Sequence, residues 1–377
     1  MTKKLTLKLN KGNSLSDVES LILQASQASE EIIEIWLPRT FKATLFLETR
    51  ICALFSTAAR NHTLHIIDWI EQGNIGAIDR FSKNIEGVAA LKYAQKIVDA
   101  KKNEINISIR DVLDRIEKNE GLIEEDSSFK TMTFCAVDSE IAQQPMAFAR
   151  CHTKAEFGSE FVARFRRAFR KDYISSDVAT SGEPISRLAD FVYELFENSF
   201  SHGCLDEESN LIPGLRILRM RRHLGKLDDL LQRTPDSKLL GKYFRNIFCN
   251  QSNKKFYEIS ISDQGLGVVD RFQATRPEYI FNANNKESDA LKFNEIIEKS
   301  LSSKLHQSGT GHGISRALTA INDLKGFISV RFGKEWLVSD FKDDSSGGML
   351  KSIYPEGVES KLAKISGTHI NIIIVAD

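Results

Sequence analysis

Residues 188–203 read LADFVYELFENSFSHG, and they decide how the second half of the chain folds. At about 100° per residue on an α-helix, Leu188, Phe191, Val192 and Leu195 fall within about 100° of arc. Phe196 extends the same apolar face. Glu197 points away from that face, toward solvent. Glu194 and Asn198 are four apart, so they lie side by side on the helix flank. A carboxylate and a carboxamide so placed have the chemistry to hold an attacking water and a Mg²⁺ ion respectively. The spacing alone is common, and it gains weight only from the motifs downstream.

Three such motifs occur, in order. Residues 256–270, FYEISISDQGLGVVD, alternate as a strand through Ile261 and end in Asp263-Gln-Gly265-Leu-Gly267. Two glycines after a strand-end Asp let the backbone turn tightly against a flat ligand, and the carboxylate can accept from an exocyclic amine. An ordinary Asp/Gly turn gives the same letters. Residues 307–320, QSGTGHGISRALTA, alternate Gly309, Gly311 and Gly313 and then start an amphipathic helix. Glycines there expose backbone N–H groups at the positive end of a helix dipole, a cradle for phosphate. The spacing lacks the Gly-Lys-Ser/Thr of a P-loop, and no strand precedes it as a dinucleotide fingerprint requires. Residues 367–375, GTHINIIIV, read as a buried strand that opens on Gly367-Thr368.

Taken in this order, the four motifs resemble the GHKL ATPase superfamily, which includes DNA gyrase, ninety-kilodalton heat-shock chaperones, histidine kinases and MutL. The resemblance covers Leu188 to Asp377, about half the chain. It implies an α+β chain whose C-terminal part is an α/β sandwich of the Bergerat type with a mobile lid. It implies ATP and Mg²⁺ as ligands. Glu194 would be the general base, Asn198 would bind the metal, and Asp263 would recognise the adenine amino group. Gly265 and Gly267 would shape the adenine pocket, with Thr368 assisting Asp263 through a water. Gly309, Gly311 and Gly313 would wrap the phosphates. Val268–Ser308, with its polar run at 282–288, would be the lid, and either Lys304 or His306 within it could reach a phosphate. His312 stands where many relatives carry an apolar residue, either beside the phosphates or on the outer helix turn.

Toward the N-terminus the pattern changes. Lys4–Leu9, Glu31–Leu37 and Thr63–Trp69 read as strands, separated by helical stretches Leu15–Ala28 and Leu45–Ala59. Residues 74–103 read as helical and lead to a strand candidate at Glu104–Ile109. This small α/β layer faintly resembles STAS-type regulatory domains, which implies a regulatory or interaction role. The acidic stretch Glu117–Ser128 reads as an inter-domain linker, dividing the chain at about residue 125 into 1–125 and 126–377. A basic helix at Glu156–Lys171 stripes Phe161, Phe165 and Phe169 down one face, with arginines opposite as a solvated face. Arg216, Arg219, Arg221 and Arg222 take the same reading. Gly225–Asn250 (LDDLLQ, LLGKYFRNIF) reads as a helical insertion offering a partner surface.

Bulk composition narrows the function classes. Lys+Arg and Asp+Glu are both 51 in 377 residues, so net charge is zero and nucleic-acid binding is disfavoured. No apolar run is long enough for a membrane span. Five scattered cysteines without a Cys-x-x-Cys pair suit reduced thiols in a cytoplasmic protein. The expectation is a Mg²⁺-dependent ATPase whose nucleotide state drives lid closure and homodimer or protein-partner contacts. A nucleotide-gated switch, or a serine/histidine-kinase-like component with little hydrolysis, is the alternative. No histidine suits a phosphoacceptor: His152 precedes Thr, and His62 and His65 flank a strand.

Overall fold

The period-two alternation of the first residues produces β1 (Lys4–Lys8). A capping box then starts α1 (Leu15–Gln27): the Ser14 hydroxyl accepts from the Asp17 N–H, and the Asp17 carboxylate accepts from the Ser14 N–H. After these come β2 (Ile32–Trp36), α2 (Leu47–Asn61), β3 (Thr63–Ile67), α3 (Ile85–Tyr93), β4 (Lys96–Val98) and α4 (Ile109–Lys118). The computed structural model describes residues 3–376 except 39–40, 42–43, 69–77, 79–80, 83, 119–121, 127–128, 139–147, 149–150, 152, 170–182, 202, 209, 235–237, 249–253, 283–287, 302–312, 344–349 and 354–361.

The chain is mixed α+β, with one parallel and one antiparallel sheet. The four N-terminal strands pair in parallel in the order β1-β2-β3-β4, as helical crossovers between strands require. The fourth strand is Lys96–Val98, inside the stretch expected to be helical. Glu104–Ile109 makes only an isolated bridge, Val98 to Glu104, before α4 begins. The reason is local: α3 ends at Tyr93, and Gln95 uses its side-chain oxygen to accept from the Leu64 N–H. That contact docks the next residues beside β3.

The remaining elements are β5 (Leu122–Asp126), β6 (Phe129–Val137), α5 (Lys154–Phe169), α6 (Glu183–Ser201), β7 (Leu215–Gly225), α7 (Leu227–Gln232), α8 (Lys238–Phe248), β8 (Lys254–Ser262), α9 (Val268–Thr275), α10 (Asp289–Glu298), α11 (Gly313–Asp323), β9 (Phe327–Gly333), β10 (Glu335–Asp340), β11 (Lys351–Ser352) and β12 (Ile365–Ala376). The eight strands form one sheet in the order β11-β10-β9-β12-β8-β7-β6-β5. All of its pairings are antiparallel.

Strand alternation gives this sheet two distinct faces. Leu218, Met220, Ile259, Ile261, Ile370, Ile372 and Ile374 pack with α5, α6, α9, α10 and α11 in one apolar core. The opposite face meets the N-terminal layer. Here α2 is buried along almost its whole length, from Leu47 through Ala58, and one continuous core runs from Leu7 and Ile33 to Phe256 and Ile373. That face of the large sheet is unusually polar. It carries Arg219, Arg221, His223, Glu258, Ser260, Ser262, Arg331, His369 and Asn371, all buried.

Four expectations change. The acidic stretch 117–128 contains β5, an edge strand registered from Leu122↔Thr133 to Asp126↔Phe129; an edge needs one partner only and tolerates charge. Arg216, Arg219, Arg221 and Arg222 lie on β7, not on a solvated helix. Arg216 is held by Asp138 at 2.7 and 2.8 Å, and Arg219 and Arg221 reach Glu48 of α2 at 3.1 and 2.7 Å. The expected lid contains two helices, α9 and α10, whose Val269, Phe272, Ala290, Phe293 and Ile296 are core residues. The 225–250 insertion is helical, but Tyr243, Phe244 and Phe248 face inward. Its apolar face is therefore spent within the chain.

Candidate functional site

The C-terminal half of α6 is where the separated motifs meet. Its apolar stripe (Leu188, Phe191, Val192, Leu195, Phe196) is buried, and that fixes the helix rotation. Glu194 and Asn198 then fall on the flank facing α11. A Cβ placed on Gly313 would sit 3.1 Å from Glu194 Oε2 and 3.4 Å from Asn198 Nδ2. Gly313 opens α11, so the helix's positive end approaches both side chains directly. Gly309, Gly311 and His312 lie outside the described residues, as do Lys304 and His306.

Asp263 follows directly on β8 and is 7% exposed. Its Oδ1 accepts from the backbone N–H of Gly265 at 3.2 Å and of Thr368 at 3.1 Å. Antiparallel pairing of β8 with β12, His369 opposite Ser262, is what brings Thr368 there. Thr368 thus meets Asp263 directly through its backbone amide. Burial pushes the Asp263 carboxyl up to about 7. The two amide bonds and nearby Arg216 pull it back, and Asp138 adds to the rise.

Glycines pack around Asp263, Gly203 against its carboxyl and Gly367 against its backbone. A Cβ on Gly203 would come 2.4 Å from Asp263 Cγ, and one on Gly265 would come 2.6 Å from the Gly203 carbonyl oxygen. Gly367, at φ +73°, would meet the Asp263 carbonyl oxygen at 2.0 Å. Gly267 holds φ +90° as the residue before α9. A side chain at any of these positions fills the space beside Asp263 or forces the backbone apart.

Sequence reading misses the cations at Glu194. Lys154 Nζ on α5 lies 2.9 Å from Glu194 Oε1 and 3.4 Å from Asp190. Arg316 on α11 lies 3.5 Å from the same Glu194 oxygen. Burial presses the Lys154 ammonium down, but the hydrogen bond to Glu194 and the two carboxylate charges outweigh it and hold it above its ordinary value. Lys154 carries no local signal, since nothing in the sequence says that α5 packs beside α6. Gly203 does carry one: it closes the helical stretch that holds Glu194. Glu197 is half-buried, not free in solvent.

No cluster of three or more His, Cys, Asp or Glu side chains suited to a metal exists among the described residues. A metal here would take its ligands from a bound anion and Asn198. No helix among the described residues is long and apolar enough to cross a membrane. Compared with models of protein families, with curated proteins and with solved structures, the chain finds no match in any of the three. The site's own geometry thus carries the functional reading.

Proposed function

We propose that the chain binds ATP with Mg²⁺ in the space between Asp263, Asn198 and the start of α11, and hydrolyses it slowly with Glu194 as general base. The observation that carries this is the convergence at α6. Gly313 abuts Glu194 and Asn198, while Gly203, just past the C-terminus of the same helix, abuts Asp263. These proximities between residues of motifs distant in sequence support the site that the resemblance to GHKL ATPases implies.

The residues fit the ligand. Asp263 is buried, and its Oδ2 would lie 2.7 Å from a Cβ at Gly203, so a side chain there would close off the oxygen left for an amine. The N-terminus of α11 favours negative charge, and Asn198 offers a carbonyl oxygen to a hard cation. When bound, Mg²⁺ neutralises phosphate charge. Glu194, oriented by Lys154, accepts the proton of a water placed beside it.

A second reading is favoured by Lys154 and Arg316. Both hold the Glu194 carboxylate, which leaves it less free to engage a water and suits a nucleotide-gated switch with little turnover. Measuring ATP affinity and Mg²⁺-dependent phosphate release together separates the two. Tight binding with measurable release supports the hydrolase, tight binding without it supports the switch, and no binding sinks both.

Asp263 gives a pH-dependent test. Its folded-state value lies above the unfolded one of about 4, so the folded protein keeps a proton that the unfolded chain releases. Stability therefore declines as pH rises from about 4 to about 7. Asp263→Asn removes that decline, so its melting temperature should exceed wild type at pH 8, with the gap closing toward pH 4. The same substitution should weaken ATP binding tenfold or more, because the acceptor for the adenine amine is gone. Loss of both stability and binding would contradict the assignment.

A further inference from the structure

Glu194 presents its two oxygens to different neighbours. Oε2 faces the start of α11, 3.1 Å from where a Cβ on Gly313 would sit. Oε1 is held by two cations, Lys154 Nζ at 2.9 Å and Arg316 Nη1 at 3.5 Å. So held, the carboxylate is less free to engage a water.

The two cations are not equivalent. Lys154 has a second carboxylate, Asp190 at 3.4 Å, and lies over the Tyr193 ring, 6.0 Å from its centroid. Asp190, Tyr193 and Glu194 are all on α6, so Lys154 stays fastened to that helix whatever happens at Glu194. Arg316 is on α11 and, among the described residues, meets no carboxylate but Glu194. Its side chain is 62% exposed, and an exposed ion pair at that distance holds weakly. Arg316 is the cation that can leave.

Its place on α11 says where it goes. Arg316 comes three residues after Gly313, so both lie on one face of the helix, and both meet Glu194. Helical side chains lean toward the N-terminus, which carries the guanidinium back over the turn that begins at Gly313. That turn is the positive end of the helix dipole. An anion there stands beside the Glu194 carboxylate, and two anions so close repel unless a cation lies between them. A guanidinium matches a phosphate with two parallel N–H donors.

We propose that Arg316 is the ligand of the terminal phosphate of the nucleotide, and that its transfer from Glu194 to that phosphate frees the base. This rests on the nucleotide reading above. ADP ends one phosphate short and leaves Arg316 on Glu194. Arg316 thereby sets a preference for the triphosphate and confines water activation to the ATP-bound state. Lys154, tied to Asp190, keeps Glu194 in place throughout.

Equilibrium titration of ATP and of ADP, each with Mg²⁺, into the full chain tests this without relying on turnover. Wild type should bind ATP severalfold more tightly than ADP. Arg316→Gln should lose that preference, keep its ADP affinity and melt as wild type does, since the position is exposed. Lys154→Gln should keep the preference. Phosphate release at saturating ATP should fall about tenfold or more in Arg316→Gln, because the phosphate loses a donor; a mere brake on Glu194 would give faster release once removed. Four results overturn the proposal: equal affinity of wild type for ATP and ADP, a preference that survives in Arg316→Gln, a preference lost in Lys154→Gln instead, or faster release by Arg316→Gln. Wild type that binds neither nucleotide overturns the nucleotide reading itself and this proposal with it, so the two failures are told apart by the wild-type titration alone.

Discussion

Glu194→Ala is expected to bind ATP and Mg²⁺ within a few-fold of wild type and to release phosphate about 10²- to 10⁴-fold more slowly, the range a general base contributes. Binding survives because the proposed nucleotide contacts, the Asp263 carboxyl and the backbone amides at the start of α11, do not depend on the Glu194 carboxylate. The fold survives because Lys154, released from Glu194 Oε1, keeps Asp190 at 3.4 Å. Glu194→Gln sharpens the test. It preserves the side-chain volume and an oxygen for Lys154, but it cannot take a proton from water. If orientation of Lys154 were the only role of Glu194, the glutamine variant would turn over like wild type. If it is the base, both variants are slow. Single-turnover phosphate release with equilibrium nucleotide titration reads both quantities. Normal release by either variant would remove Glu194 from the chemistry.

The site is legible where a motif depends on residues close in sequence, and illegible where it depends on what packs beside it. Glu194 and Asn198 can be placed on one helix flank because an apolar stripe fixes rotation, and that stripe is buried as its period requires. The pairing of the 367–375 strand beside Asp263 has no such signal, since antiparallel partners far apart in sequence leave no local trace. Lys154 is invisible for the same reason. The arginines of β7 mislead because charge normally marks solvent. Their partners sit on another sheet's helix, Glu48 of α2, or beyond β6, Asp138. The α2 stretch itself reads only as a helix, and it is buried along almost its whole length. A polar residue in such a helix is informative only once the opposite surface is known. Thr49 donates to the Asn371 side chain at 3.4 Å, and the Phe46 N–H donates to Glu258 at 2.8 Å.

The same seam gives the largest stability effect. Glu19 of α1 is, among the described residues, the one carboxylate ion-paired to two buried guanidiniums, Arg331 at 3.0 Å and Arg50 at 3.1 Å. Burial pushes its carboxyl up, but the two arginines outweigh burial and hold it below the usual range. Its contribution is thus present above the unfolded value of about 4.3 and is lost as pH falls through the lowered one. Glu19→Gln leaves two buried cations without a counter-charge and is expected to cost about 3–5 kcal/mol. The arginines are not equivalent. Arg331 also donates to the carbonyls of Phe332, Gly333, Glu335 and Ala363. Among the described residues no hydrogen-bond partner meets the Arg50 guanidinium, which stacks on Trp336 at 4.8 Å, and burial pulls it down to about 9. A folded-state value so far below the unfolded one means that the ionised group opposes folding at neutral pH. Arg50→Met keeps much of the side-chain volume against Trp336, and leaves Glu19 and Arg331 as a matched pair. It is expected to be near neutral, and Glu19→Gln should cost less in its background than alone. Urea midpoints for the two single variants and the double variant measure this coupling. Equal losses in Glu19→Gln and Arg50→Met would show instead that Arg50 is as necessary to the seam as the carboxylate it crowds.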